Sequence, residues 1–172
     1  MVHLGLKRVW IATTKLLKQQ IDKNRCVELP YLGKFCKLES TVSFMPSLNF
    51  LGACKVRLIE SETLVSPLSK ASQRFLTAKP LSLTSISAVC QLDRESTAAN
   101  LRSIVSEFIS LVRAGKASEL DLKVGILVGL ENKSLAFEQL QSVNETSDEN
   151  CSSDPYHQQL TFKQFSLRGR NS

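Results

Sequence analysis

A chain of 172 residues allows one ordinary domain or two small ones, and a hydrophobic share of 42% is enough for a folded core, which excludes disorder throughout. No apolar run reaches the roughly 18 residues that a membrane span requires, and basic residues interrupt the N-terminal stretch too early for a secretory signal. We therefore expect a soluble, non-secreted protein without a membrane partner.

The formal net charge of +6 is unevenly distributed along the chain. Residues 1–80 contain 13 lysines and arginines against 5 acidic residues, a net charge of +8, whereas residues 81–142 and 143–172 each have a net charge of −1. Only the first part should therefore be attracted to an acidic partner, whether a nucleic acid or an acidic protein surface.

The first half predicts one long helix followed by strands. Apolar residues recur near a 3.6-residue period over residues 4–24, which predicts a helix. The stretch "CVELPYLGKF" alternates, stops at a proline and restarts, which predicts strands at 26–29 and 32–38. Alternating apolar and basic residues predict a third strand within 48–59, and residues 61–76 predict a short helix broken at a proline.

A second unit is predicted to begin after Lys79-Pro80, where the charge balance changes. Its helix extends from the capping residues Ser96-Thr97 to Gly115, with apolar residues on one face. Alternation then predicts a strand near 120–124, an apolar segment at 126–130 and a returning strand around 135–137.

The order of elements in the second half repeats that of the first. Leu32-Gly33-Lys34-Phe35 matches Val124-Gly125-Ile126-Leu127, and the two glycines are 92 residues apart, a domain-sized period. We therefore predict an α+β protein with one module at 1–79 and another at 80–141. Residues 142–172 are predicted to be a flexible linker and an extended C-terminal tail, in which Leu160, Phe162 and Phe165 could dock on a partner.

The chemistry-bearing residues do not form a recognisable catalytic or cofactor site. Phosphate-binding glycine loops and nucleophile-elbow motifs are absent from the sequence, and His3 and His157 lie near its two ends. Five cysteines form an odd set without a C-x-x-C pair, which argues against a disulfide framework and a zinc ribbon and favours buried free thiols. We expect a protein that is not an enzyme and binds no cofactor or metal.

"VELPYLGKF" resembles the turn between the first two strands of the HU/IHF fold. Trp10 in the preceding helix, Pro80-Leu81 before the second unit, and "LDLKVGIL" after the 97–114 helix extend the likeness to a tandem arrangement. The chain thus resembles the paired HU-like domains of the coiled-coil domain-containing protein 81 family over roughly residues 4–140. The resemblance implies two tandem HU/IHF-like modules in a non-enzymatic protein of cilia, centrosomes or basal bodies.

Bacterial HU and IHF grip DNA with a long arginine-rich β arm whose proline wedges between base pairs. The arm position here falls between Phe35 and Lys55, and residues 40–54 contain no charged side chain. Phe44, Met45 and Pro46 could form an apolar wedge, but the structural alternative is that they pack into the core or onto a protein neighbour. Nucleic acid is therefore an unlikely partner on sequence grounds.

The surplus cations lie instead on the first helix and its exit. Lysines on a helix are ordinarily interpreted as a solvated surface. The more specific interpretation is that these cations bind an acidic partner such as the tubulin lattice. The cations are Lys7, Arg8, Lys15, Lys18, Lys23 and Arg25.

We accordingly expect a structural scaffold of the ciliary axoneme or basal body, in the cytoplasm and cytoskeleton, that binds tubulin and other axonemal proteins. The alternative function is an architectural nucleic-acid-binding protein of HU type, acting through the lysine-rich helix. A steep dependence of duplex binding on salt would distinguish the alternative from the scaffold.

Overall fold

The computed structural model describes residues 2–140, with side chains from Leu4 onward, and the fold is α+β as expected. The predicted linker and tail, including Phe162 and Phe165, lie outside the described residues. The elements in chain order are α1 Val2–Asp22, β1 Val27–Leu29, β2 Gly33–Leu38, β3 Thr41–Pro46, α2 Leu48–Cys54, β4 Arg57–Leu58, a 3₁₀ helix Lys70–Phe75, β5 Lys79–Pro80, α3 Leu83–Cys90, α4 Arg94–Arg113, β6 Ser118–Asp121, β7 Ile126–Gly129 and β8 Ser134–Glu138.

The strands form two four-stranded sheets, and the second sheet takes one strand from the first half of the chain. The first sheet has the order β3-β2-β1-β5, with β5 parallel to β1 and the other pairs antiparallel. The second has the order β4-β8-β7-β6, with β4 parallel to β8. The boundary predicted at residues 79–80 therefore falls inside a strand of the first sheet.

One hydrophobic core is continuous across the two halves. The ring of Phe44 lies 4.7 Å from that of Phe35 and 5.6 Å from that of Phe137, measured between centroids. The two long helices α1 and α4 also pack together, and the Trp10 indole Nε1 donates a hydrogen bond of 3.0 Å to the Asp121 carbonyl. Burial of these aromatic rings contributes to the apolar core that the two halves share.

The third strand predicted within 48–59 is largely wrong, because residues Leu48–Cys54 form helix α2. The Ser47 hydroxyl accepts a 3.1 Å hydrogen bond from the Phe50 amide and caps the helix, and Lys55 ends it in the left-handed conformation. Only Arg57–Leu58 is extended. Alternating residues over a short window favoured a strand, whereas the local cap favours a helix.

Three other parts of the chain differ from the sequence prediction: the segment 61–76, helix α3 and the start of helix α4. Most of 61–76 is irregular, with only the 3₁₀ helix Lys70–Phe75, and the sequence analysis missed α3. Helix α4 begins earlier than expected, because the Asp93 carboxylate accepts a 2.8 Å hydrogen bond from the Ser96 amide. The hydrogen bonds from Ser96 lower the pKa of Asp93. The helix ends at Arg113, and Gly115, the residue predicted to end it, follows two residues later in the left-handed conformation.

The repeat predicted from the two glycines recurs in the backbone. Tyr31 and Lys123, two residues before Gly33 and Gly125, both have a positive φ, of 71° and 65°. Each glycine also faces a phenylalanine ring from a following strand, Gly33 against Phe44 and Gly125 against Phe137. The two halves therefore use the same turn, at which a side chain on the glycine would displace a core ring.

We expect Gly33→Ala to lower the free energy of unfolding by about 2 kcal/mol or more, because the added methyl group would overlap the Met45 carbonyl and lie 2.8 Å from the Phe44 ring. Gly52→Ala is the matched control. Gly52 lies in α2 with open space around it, so alanine at this position should raise the free energy of unfolding by roughly 0.5–1 kcal/mol. Urea unfolding measures both, and equal effects at the two positions would contradict the close packing at Gly33.

Candidate interaction surfaces

The exposed side of α1 carries most of the cations predicted to bind a partner. Val9, Leu17 and Ile21 face the core, which leaves the opposite side of the helix to solvent. Two large apolar side chains are exposed there as well, with 64% of Leu4 and 51% of Ile11 accessible. We call this stripe the α1 cationic face; it consists of Leu4, Lys7, Arg8, Ile11, Lys15 and Lys18.

The α1 cationic face is about 21 Å long, given a rise of 1.5 Å per residue from Leu4 to Lys18. Lys18 forms a 2.8 Å ion pair with Asp22, but both side chains are more than half exposed, so the pair contributes little. The two remaining predicted cations, Lys23 and Arg25, lie exposed in the turn after the helix. Arg25 donates a hydrogen bond to the Gln20 side chain.

The apolar wedge considered for residues 44–46 does not form, because residues 41–46 are strand β3, paired along its length with β2, and the alternative of packing into the core is confirmed for Phe44. Phe44 is fully buried between the two sheets, Pro46 is buried at the end of the strand, and Met45 is half-buried. None of the three projects as a wedge or is available to a partner in this conformation. The stretch lacks charge because it lies in the core, where an ionised side chain would be costly.

A connector covers the outer face of the first sheet. This connector, residues 59–78, extends the sheet beside β3, where the Phe44 amide donates to the Thr63 carbonyl at 2.7 Å and the Val65 amide to the Phe44 carbonyl at 2.9 Å. Its Phe75 side chain is fully buried against Cys36 on that outer face. A duplex could not reach this face without displacing the connector.

The outer face of the second sheet is acidic. The strand register places Asp121, Ile126 and Glu138 side by side, and Glu119 lies on the same face two residues before Asp121. Lys123 partly offsets this charge through a 3.4 Å ion pair with Asp121. Three carboxylates on one small face repel a polyanion.

A disulfide joins Cys26 and Cys36 across β1 and β2, so the expectation that the cysteines are free thiols is wrong for this pair. Val27 pairs with Phe35, which makes the two cysteines the next opposed residues, with their Cα atoms 4.4 Å apart. Both sulfur atoms lie within 4 Å of the Arg74 carbonyl in the connector. The sequence test for C-x-x-C spacing misses cysteines that a hairpin brings together.

Two other cysteines, Cys54 and Cys90, are free and buried, as predicted, and Cys151 lies outside the described residues. Burial raises the pKa of the Cys54 thiol to about 12, and the nearby charge of Arg113 acts in the opposite direction. Cys54 is therefore protonated at neutral pH, which makes it a poor nucleophile and metal ligand.

A groove between the two halves was missed by the sequence analysis. Its volume is about 590 Å³, and we call it the basic groove. Lys18 of α1, Lys37 of β2 and Lys123 of the β6–β7 turn line it together with Asp22, so no local pattern in the sequence brings the three lysines together. The apolar residues of the groove are Ile21, Val42, Val124 and Leu140.

The described residues 2–140 contain no group of three or more His, Cys, Asp or Glu side chains that could hold a metal ion. Within the same part of the chain, no helix is long and apolar enough to cross a membrane. The chain matches no protein-family model, and a search of curated protein sequences finds no significant match.

We expect reduction of the Cys26–Cys36 disulfide to lower the free energy of unfolding by roughly 2–3 kcal/mol, the loop-closure value for cysteines ten residues apart. Urea unfolding with and without dithiothreitol measures the difference. The double variant Cys26→Ser/Cys36→Ser is the control and should not respond to dithiothreitol. A wild-type protein that is equally indifferent would show that the two thiols are not bonded in solution.

The raised pKa of Cys54 predicts a loss of stability at alkaline pH. The thiol ionises near pH 9 in the unfolded chain and near pH 12 in the folded protein. The contribution of Cys54 to the free energy of unfolding is therefore fully present below pH 9 and is lost as the pH rises towards 12. The free energy of unfolding should fall more steeply with pH in the wild type than in Cys54→Ala, by at most about 1.4 kcal/mol per pH unit. Parallel slopes between pH 9 and 12 would show that the folded thiol titrates normally.

Proposed function

We propose that the chain consists of two tandem HU/IHF-like modules, is a member of the coiled-coil domain-containing protein 81 family, and serves as a non-enzymatic scaffold of the ciliary axoneme or basal body. In this proposal, the α1 cationic face binds the acidic surface of tubulin, and other surfaces contact neighbouring axonemal proteins. The module assignment is supported by the recurrence of a helix, a strand, a left-handed turn before a glycine and an antiparallel hairpin in both halves.

The observation that carries the proposal is the composition of the α1 cationic face. Its cations alternate with the exposed side chains of Leu4 and Ile11, which a phosphate backbone cannot use but a protein surface can bury. Positive charge would accelerate the encounter with an acidic lattice, and the apolar side chains would add contact area once the proteins meet.

The distribution of charge on the sheets disfavours the HU-like alternative. In that mode of binding, DNA lies against β-sheet surface and arms, and cations neutralise its phosphates. Here the hairpin between β2 and β3 is short, the connector covers the outer face of the first sheet, and carboxylates occupy that of the second. Most of the cations predicted to bind a partner lie on α1, so nucleic-acid binding through them would require a different geometry.

We expect the full chain to co-sediment with microtubules, and the variant Lys7→Gln/Arg8→Gln/Lys15→Gln to lose roughly tenfold in affinity, since each removed charge contributes up to about 1 kcal/mol. The matched control is Lys55→Gln/Lys70→Gln/Lys116→Gln, which removes the same charge from exposed positions elsewhere and should bind as the wild type does.

A gel-shift titration with duplex DNA at several salt concentrations tests the alternative with the same three proteins. Tight duplex binding with a steep salt slope, together with no microtubule binding, would overturn the scaffold proposal. Equal losses in the two triple variants would show that net charge, and not the α1 cationic face, determines the affinity.

A further inference from the structure

The two halves differ at one place where the repeat predicts the same contact. In the first half, α2 follows β3 directly and closes the side of the Pro30–Gly33 turn. The Ser47 amide donates a 2.9 Å hydrogen bond to the Leu32 carbonyl, and Phe50 stacks on Phe108 of α4 with 6.4 Å between ring centroids. The repeat thus assigns the segment after the last strand of each half to this position.

In the second half, the corresponding place is the basic groove. Val124 occupies the position of Leu32 in the repeat, and α1 takes the place of α4 beside it. The described chain ends at Leu140, which itself lines the groove, two residues after β8. No described residue covers the groove in the way that α2 covers the first half.

The groove has an apolar floor and a cationic rim. Ile21, Val42 and Val124 form the floor and are each at most 9% exposed. Lys18 pairs with Asp22, which also lines the groove, and Lys123 pairs with Asp121, but the side chains of both lysines are 54% exposed. Such surface pairs contribute little and exchange readily, so the rim can accept further carboxylates.

The chain itself carries a matching segment within reach. Residues 145–154 contain the acidic side chains Glu145, Asp148, Glu149 and Asp154 and no lysine or arginine. The first of them follows Leu140 by five residues, and an extended chain spans up to about 3.3–3.6 Å per residue. A tether of this length gives an effective concentration on the order of millimolar, which makes a set of individually weak ion pairs sufficient.

We propose that the acidic segment 145–154 binds in the basic groove, with its carboxylates paired to Lys18, Lys37 and Lys123. The more distant apolar stretch with Phe162 and Phe165 is a poorer occupant, because it is followed and interrupted by cations, including Lys163 and Arg168. This contact forms within the isolated chain and does not depend on the partner proposed above.

Carbodiimide cross-linking of the full chain, followed by peptide mass spectrometry, tests the contact directly. We expect amide cross-links between the three groove lysines and the carboxylates of 145–154 within single chains, and their loss at about 0.5 M salt, where such pairs are screened. The Lys18–Asp22 cross-link provides an internal check on the reaction. Cross-links only between chains would overturn the proposal in favour of a second copy as the occupant.

Matched variants distinguish binding of the acidic segment in the basic groove from non-specific attraction to positive charge. Lys18→Gln/Lys37→Gln/Lys123→Gln should abolish the cross-links from the acidic segment, whereas Lys15→Gln/Lys55→Gln/Lys70→Gln removes the same charge from outside the groove and should retain them. Lys55 matches Lys123 in having a positive φ. Equal yields from both triple variants would overturn the proposal.

A second measurement uses full-length chains and does not rely on cross-linking. Neutralising the segment with Glu145→Gln, Asp148→Asn, Glu149→Gln and Asp154→Asn should shift the backbone amide resonances of Lys37, Val42 and Val124 and leave those around the 3₁₀ helix Lys70–Phe75 unchanged. Neutralising Lys163, Arg168 and Arg170 to glutamine is the control and should not shift the groove resonances. Unchanged groove resonances in the first variant would overturn the contact.

Discussion

The contact between the Phe44 and Phe137 rings is the constraint on which the rest of the molecule depends. Each ring comes from the hairpin of one half and lies against the glycine of its own turn, and the two meet 5.6 Å apart in the shared core. The glycines leave room for the rings, so the identity of one small residue determines the packing of each sheet. Because the two rings touch, the halves bury apolar surface that neither could bury alone.

This shared core determines which surfaces remain for binding. The helices α1 and α4 cover the inner side, the connector covers the outer face of the first sheet, and the acidic residues of the second sheet remain outside. Five cations of the first half, Lys7, Arg8, Lys15, Lys18 and Lys37, lie on the solvent side of α1 or at the rim of the basic groove. Acidic protein segments are the partners that we propose for both surfaces.

The connector also links the cysteine chemistry to this arrangement. Phe75 is buried on the outer face beside Cys36, and the Arg74 carbonyl faces the Cys26–Cys36 sulfur atoms. The disulfide and the connector therefore stabilise the same edge of the first sheet. Opening the disulfide would leave two thiols beside this carbonyl, to which an S–H group can donate a hydrogen bond that the disulfide sulfurs cannot.

Local patterns in the sequence were sufficient for the long helices, for the β1–β2 turn and for the repeat of the two glycines, because helical periodicity, alternation and a glycine requirement are encoded within a few residues. The same patterns failed at 41–54. There alternation predicted a strand over residues that form the capped helix α2, and the lack of charge left both a wedge and core packing open, of which the structure shows the core strand β3.

The amino-acid sequence by itself determined the α+β class, the uneven charge and the cationic side of α1. Only the tertiary structure decided that Cys26 faces Cys36, that β4 joins the second sheet, and that Lys37 and Lys123 meet Lys18 at one groove. The physical reason is that strand register and packing between elements set these relations, whereas composition and local period depend on neither.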